Sequence, residues 1–356
     1  MNRPLVPADI PKLRAAAQRD SMRSLTRAVW ALGASTVDKS LYASQHAAKA
    51  WGNDQDVERI IRAAVNPEDS TSGLLGYAQV LLKALAPISA IAALADHVGA
   101  LSWPQGVGNL LVPAINMSGL AQFVGEGQPI QVPQGLSSKA TLTPFKLALI
   151  TLLSGELFRY SAAESLIEKA LTESIGYSLD GLMLSTNAAV AGVSPPGLLH
   201  GVTALIPVTT AGNFVDAIYE DLGNLGGAVS VVSGNDEEGI CFIMAAPQAV
   251  FARLRLADVS YPIFASAALA PGTVIAVASR ALAFVARDPR FETTKQSVVH
   301  METAPLPIGT PGTPPTVAAP TTSLFQTDSV GIRFIWPLNY VMRDARGIAF
   351  MSTVNW

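Results

Sequence analysis

Four histidines and a single cysteine are the side chains of this sequence best suited to metal or nucleophilic chemistry. His46, His97, His200 and His300 stand far apart, with no pair four residues apart and no cysteine partner, so their spacing predicts no zinc site. Cys241 lies inside the apolar run Gly239-Ile-Cys-Phe-Ile-Met244 and reads as a buried strand residue. There is no phosphate-binding loop, no Gly-x-Ser-x-Gly and no His-Glu-x-x-His. Gly106-Val-Gly108 runs on into Asn-Leu-Leu and reads as a turn, not as a dinucleotide fingerprint. Asn235-Asp-Glu-Glu-Gly239 invites a cation but lacks alternating ligands, so it reads as a hydrated hairpin tip. Asn116-Met-Ser118 matches a glycosylation sequon, which carries no meaning without a secretory signal. These residues predict no catalytic, cofactor or metal site.

Composition points elsewhere. Charged residues make up 14% of the 356 and hydrophobic ones 49%, with a mean hydropathy of +0.34, whereas ordinary domains carry about a quarter charged residues. The most apolar windows are interrupted by Lys83, Pro87 and Asp96, or are too short and carry Arg280, so no membrane span is predicted. A charge-poor chain outside a bilayer must hide apolar surface, and obligate subunit interfaces hide it well. An Ala/Gly/Val-rich enzyme has the same composition. The net charge of −3 gives no overall nucleic-acid signal. Met1-Asn-Arg-Pro leads into a polar helix without an apolar signal core, which fits synthesis in a reducing cytoplasm.

Helices are expected from about Asp9 to Val65, with Arg19, Arg23 and Arg27 on one face. That face is either a solvated surface or an arm that touches DNA phosphates or guides assembly. Residues 66–73 read as a linker. An apolar helix or packed arm bent at Pro87 spans Tyr77–Val98. A long excursion follows, leaving at Leu110 and returning through Lys139–Lys146, with too few apolar residues at its tip to order itself. Lys146–Leu153 reads as a buried strand. The strongest helix signal is next, from Ser161 to about Ser185: Ser161-Ala-Ala-Glu164 forms a capping box ahead of Ile167, Leu171, Ile175, Leu179 and Leu182. After Pro195-Pro-Gly197 come a helix at 213–223, strands at 229–232 and 240–245, a helix at 247–256 and a strand at 273–277. Further strands are expected at 281–287, 297–301 and 330–341, with a Pro-rich surface loop over 304–322.

The order of Phe123-Val-Gly-Glu126, Phe145-Lys-Leu-Ala148, Ser154-Gly-Glu-Leu157, the helix at 161–187, Pro196-Gly-Leu-Leu-His-Gly201, Phe242-Ile-Met-Ala-Ala-Pro247 and Asp328-Ser-Val-Gly-Ile-Arg333 resembles the major capsid proteins of tailed bacteriophages with the Hong Kong 97 fold. The resemblance covers about Gly73 to Trp356. It implies an α+β fold: residues 1–72 as an N-terminal helical arm or scaffold-like segment, 73–109 as an N-arm and 110–149 as an extended loop. It further implies 150–196 with 281–342 as a peripheral domain holding a long spine helix, and 197–280 with 343–356 as an axial domain. Hexamers and pentamers of an icosahedral virion shell around double-stranded DNA are then expected, assembled in the bacterial cytoplasm. Scaffolding, portal and decoration proteins would be partners, and Arg19, Arg23 and Arg27 would offer a non-specific DNA contact. An encapsulin-like bacterial compartment and a cytoplasmic α/β enzyme are the competing readings.

Some members of that family cross-link a loop lysine to a neighbour's asparagine. Lys139 and Lys146 are the only lysines of the excursion, and Asn339 sits in a late strand, with nothing in the sequence to pair them. Mature shells are expected to run as monomer on denaturing gels; a ladder of covalent multimers is the contrary result.

Overall fold

The computed structural model describes residues 23–24, 27–37, 39–65, 77–103, 107–114, 123–124, 126, 139–156, 163–208, 214–233, 239–256, 261–301, 309–310, 312–314, 316–317 and 321–356. It mixes helices and sheets. The chain divides into two compact units: Met1–Tyr77 with Ala148–Leu171 and Pro289–Trp336, and Ala78–Leu147 with Thr172–Asp288 and Pro337–Trp356.

In chain order the helices are α1 (27–37), α2 (Ala43–Trp51), α3 (Gln55–Val65), α4 (Tyr77–Leu85), α5 (Ala90–Val98), α6 (Ala163–Met183), α7 (Phe214–Ser233) and α8 (Ala246–Arg255). The strands are β1 (Leu101–Ser102), β2 (Leu110–Pro113), β3 (Lys139–Leu142), β4 (Phe145–Ser154), β5 (Ile240–Ala245), β6 (Ile263–Ser266), β7 (Val274–Ala278) and β8 (Leu282–Ala286). They continue as β9 (Arg290–Thr294), β10 (Val298–His300), β11 (Gly309–Thr310), β12 (Thr316–Val317), β13 (Thr321–Ser323), β14 (Ser329–Met342) and β15 (Ile348–Met351).

In the first unit, Asp54 accepts from the backbone N–H groups of Asp56 and Val57 and so starts α3. Trp30 meets Trp51 edge to face with ring centroids 5.0 Å apart. β9 runs antiparallel to the first half of β14, Gly331 opposite Thr294 and Ile335 opposite Arg290. Phe291, Phe334 and Trp336 stack along that pairing. The Pro-rich segment expected as a plain loop holds short antiparallel pairs in its described parts, β11 with β12, and β13 with β10. Thr and Val supply the strand preference there.

The second unit is built on a four-stranded sheet ordered β15-β7-β5-β6, antiparallel except for β5 with β6. All six residues of β5 and all five of β7 are buried, so this sheet is covered on both faces. α7 and α8 lie against the Phe242, Met244, Val274, Ala276 and Ala278 side. The turn before β7 needs Gly272 at φ +83°, because a Cβ there would sit 3.1 Å from the Cα of Thr353.

Three expectations are corrected. Residues 229–232 are not a strand: α7 runs unbroken from Phe214 to Ser233. Ile218, Leu222, Leu225, Val229 and Val232 recur at helical spacing and are all buried, so shared burial overrides the low helix preference of Gly223, Gly226, Gly227 and the valines. The strand at Lys146–Leu153 is not fully buried either. β4 alternates between half-buried and exposed positions over most of its length. The bend foreseen at Pro87 is a break: α4 ends at Leu85, residues 86–88 turn, and Ser89 caps α5 by accepting from the N–H of Ala92.

The base of the excursion is an antiparallel pair, with Leu110 opposite Leu142 and Pro113 opposite Lys139. Trp103, Val112, Leu142, Ala283 and Val285 bury together beneath it. The tip expected to be polar lies almost wholly outside the described residues, as do the Ser161 of the capping box and the 66–73 linker.

One carboxylate organises much of the second unit. Asp180, on α6, accepts from the Ser89 hydroxyl (2.6 Å), the N–H groups of Ala90 and Ile91 (3.0 Å each) and the Ser266 hydroxyl (2.6 Å). Its charge lies at the N-terminus of α5, where the unpaired amides and the helix dipole favour an anion. Asp180→Ala strands two buried amides and two hydroxyls, so urea unfolding should show a loss of roughly 3–5 kcal/mol. Asp180→Asn, which keeps one acceptor oxygen, should lose less.

Candidate functional site

The residues that could do chemistry are dispersed. His97, on α5, meets Phe264 edge to face at 6.1 Å. His200 shares a hydrogen bond with the Thr186 carbonyl, 3.1 Å from Nδ1. His46 lies on α2 and His300 on β10. Cys241 is wholly buried in β5. No three His, Cys, Asp or Glu side chains among the described residues could hold a metal ion. No described helix is long and apolar enough to cross a membrane. The Asn235 loop, apart from Gly239, lies outside the described residues, as do Asn116–Ser118 and Gly106.

The shifted ionisations belong to packing. Burial pushes the Tyr340 phenol up to about 12 while its hydroxyl donates to the Pro196 carbonyl at 2.8 Å. Burial also raises the Asp288 carboxyl, and the N–H it accepts from Ala78 opposes that rise in part. The Arg346 guanidinium beside Asp344 lowers that carboxyl. A cleft of about 480 Å³ is lined by His97, Val112, Ser279, Arg280, Phe284 and Arg343, but Arg343 is turned to the carbonyls of Pro113 and Arg280.

The basic trio is not a single free face. Arg19 lies outside the described residues and Arg23 is exposed. Arg27 is turned inward: its Nη1 is 3.3 Å from Asp54 Oδ2, and its guanidinium lies 5.2 Å from the centre of the Trp51 ring. Four-residue spacing predicts a shared helix side but not the partners of Arg27, which come from 24 and 27 residues further on. Of the residues weighed for cross-linking, Lys146 is exposed on β4. Asn339 is buried, its Nδ2 donating to the Thr143 carbonyl at 2.6 Å.

What the surface does offer is apolar. Phe123 is fully exposed and Ile206 nearly so, and Leu101, Leu111, Val190 and Val193 are also uncovered. The sequence reading missed the clearest instance, on α8. Gln248, Ala249, Ala252 and Leu256 face the core, while Val250, Phe251 and Leu254 project outward, Leu254 to 78% exposure. The signal was present in sequence: 250, 251 and 254 share one helical face and carry its bulk, while the two alanines mark the opposite side. Large exposed apolar patches mark surfaces that meet other molecules.

No family model matches the chain. It is 28% identical over 271 residues to the capsid polyprotein of Pseudomonas phage PAJU2, an alignment covering 69% of this chain and 39% of that protein. The chain thus spans well under half of the relative's length. A solved structure from Mycobacterium phage Adephagia superposes with a TM-score of 0.50 at 17% identity, covering 81% of this chain and 97% of that one, so the two share a fold. One from Mycobacterium phage Cain gives 0.48 at 15% identity, covering 83% and 97%. The chain resembles phage capsid proteins, as the order of its motifs led one to expect.

Arg27→Gln removes an ion pair and a cation–π contact, so thermal or urea unfolding should show a loss of about 1–2 kcal/mol. Binding of double-stranded DNA to the folded variant should stay within about twofold of the parent, since an inward-turned cation makes no phosphate contact.

Proposed function

We propose that this chain is the structural, non-enzymatic major capsid protein of a tailed bacteriophage. Its copies tile as hexamers and pentamers into an icosahedral shell around double-stranded DNA. The observation that carries this reading is the 28% identity over 271 residues with a phage capsid polyprotein. Physical chemistry supports it: a chain with 14% charged residues leaves Phe123, Ile206 and the outer side of α8 bare, surface that a tiled neighbour would cover.

On this reading the fold is the Hong Kong 97 type. Residues 110–149 are the extended loop that leaves the β2–β3 pair to lie across a neighbour. Residues 150–196 with 281–342 form the peripheral domain, with α6 as its spine, and 197–280 with 343–356 form the axial domain. Residues 1–72 and 73–109 are the N-terminal segment and arm. Scaffolding, portal and decoration proteins are its partners, and the virion shell, built in the host cytoplasm, is its place. Arg19 and Arg23 remain the candidates for contact with packaged phosphates; Arg27 does not, given Asp54 and Trp51. A genome-free compartment shell would use similar tiling, but the relative that carries the reading is a phage protein.

The test is the size of the expressed protein. Negative-stain images and sedimentation should show capsomer rings or megadalton shells. A species that stays monomeric at every concentration and salt tried would overturn the proposal.

A further inference from the structure

α7 and α8 lie on the same face of the β15-β7-β5-β6 sheet, and each carries charge of one sign. α7 holds Asp216 and Glu220 on its exposed side, and no Lys or Arg along its length. α8 holds Arg253 and Arg255, and no Asp or Glu. Both outer faces are also apolar. Phe214, Tyr219 and Val231 stand 64%, 55% and 54% exposed on α7, against Val250, Phe251 and Leu254 on α8.

The shapes differ in a complementary way. Tyr219, Gly223, Gly227 and Val231 follow one another every fourth residue, so they form one row along α7. A Cβ on Gly223 or Gly227 would meet no atom within 4 Å, so the middle of this row is an open trough between Tyr219 and Val231. On α8 the corresponding surface is a ridge, made by Val250, Phe251 and Leu254. Ridges on one helix pack into the grooves of another.

We infer that α7 of one copy receives α8 of the next, with Phe251 and Leu254 seated over Gly223 and Gly227 and Arg255 set against Glu220. The occupant is a second copy of this chain, because trough and ridge, acidic and basic, are both present on every copy. The two helices present different surfaces, so we take the contact as head-to-tail, which makes a ring where the rotation from copy to copy closes. This rests on the shell-forming reading, and it names the surface through which neighbours in a capsomer join.

The purified full chain provides the test, by sedimentation at low salt. Glu220→Arg and Arg255→Glu should each raise the concentration needed for ring formation at least about tenfold, by placing like charges opposite one another. Mixing the two variants in equal amounts should restore six-membered rings, since alternating copies present opposite charges at every contact of an even-membered ring. Gly223→Leu fills the trough on an exposed helix position; it should block rings while the variant's monomer melts no lower than the parent's. If all three variants assemble as the parent does, the α7–α8 contact is wrong and the shell reading stands. If the parent never leaves the monomer, the shell reading itself falls.

Discussion

The second unit depends on a buried carboxylate that no cation among the described residues is shown to pair with. Asp180 satisfies itself with two hydroxyls and two amides, drawn from the start of α5 and the end of β6. A charge in that position is costly unless every lone pair finds a donor, and here the donors come from separate elements. The long helix α6 is therefore fixed in register as well as in place. Sliding it by one residue would carry the carboxylate away from the α5 amides, whose directions are set by the helix itself.

Similar polar fastenings recur in the same unit. Asp221 of α7 accepts from the Val208 N–H and from the Trp356 indole N–H, both at 2.8 Å. Gln248 of α8 accepts from the Gly272 N–H and donates to the Trp356 carbonyl. Each outer helix thus holds Trp356 by one buried polar side chain, while its exposed side keeps large apolar residues. The chain uses part of its small stock of polar side chains inside, where they specify position, and leaves hydrocarbon outside. That distribution is poor for a solitary protein and apt for one that packs against others.

Much of the secondary structure was legible in sequence, because strong local patterns matched the tertiary result. Ile240–Ala245 is a short apolar run, and Pro247 marks the start of α8; both elements lie where the sequence put them. The outgoing half of the excursion's base was legible from the apolar run at Leu110–Val112, while Lys139–Leu142 gains its strand character from pairing with it. α7 was misread because three glycines and a run of valines argue locally for a break and a strand, while the fact that decides, burial of one helical face, is non-local. β9 escaped because Arg290-Phe-Glu-Thr-Thr294 has one large apolar residue and gains its strand character from β14. β14 itself carries Pro337 inside a strand, and the proline falls in the interval between the residues paired with β9 and those paired with β8. The candidate surface was less legible than the fold. Periodicity shows that α8 has two faces, but only the packed sheet shows that the alanine side is the inner one.

The unlike signs of α7 and α8 give this unit an electrical orientation of its own. Within a screening distance of about 8–10 Å at ordinary ionic strength, an approaching charged body is turned before it touches. On the proposed contact, encounter rates at this surface should therefore respond to added electrolyte before binding strength does, because hydrocarbon burial, which salt scarcely weakens, would hold the two copies together.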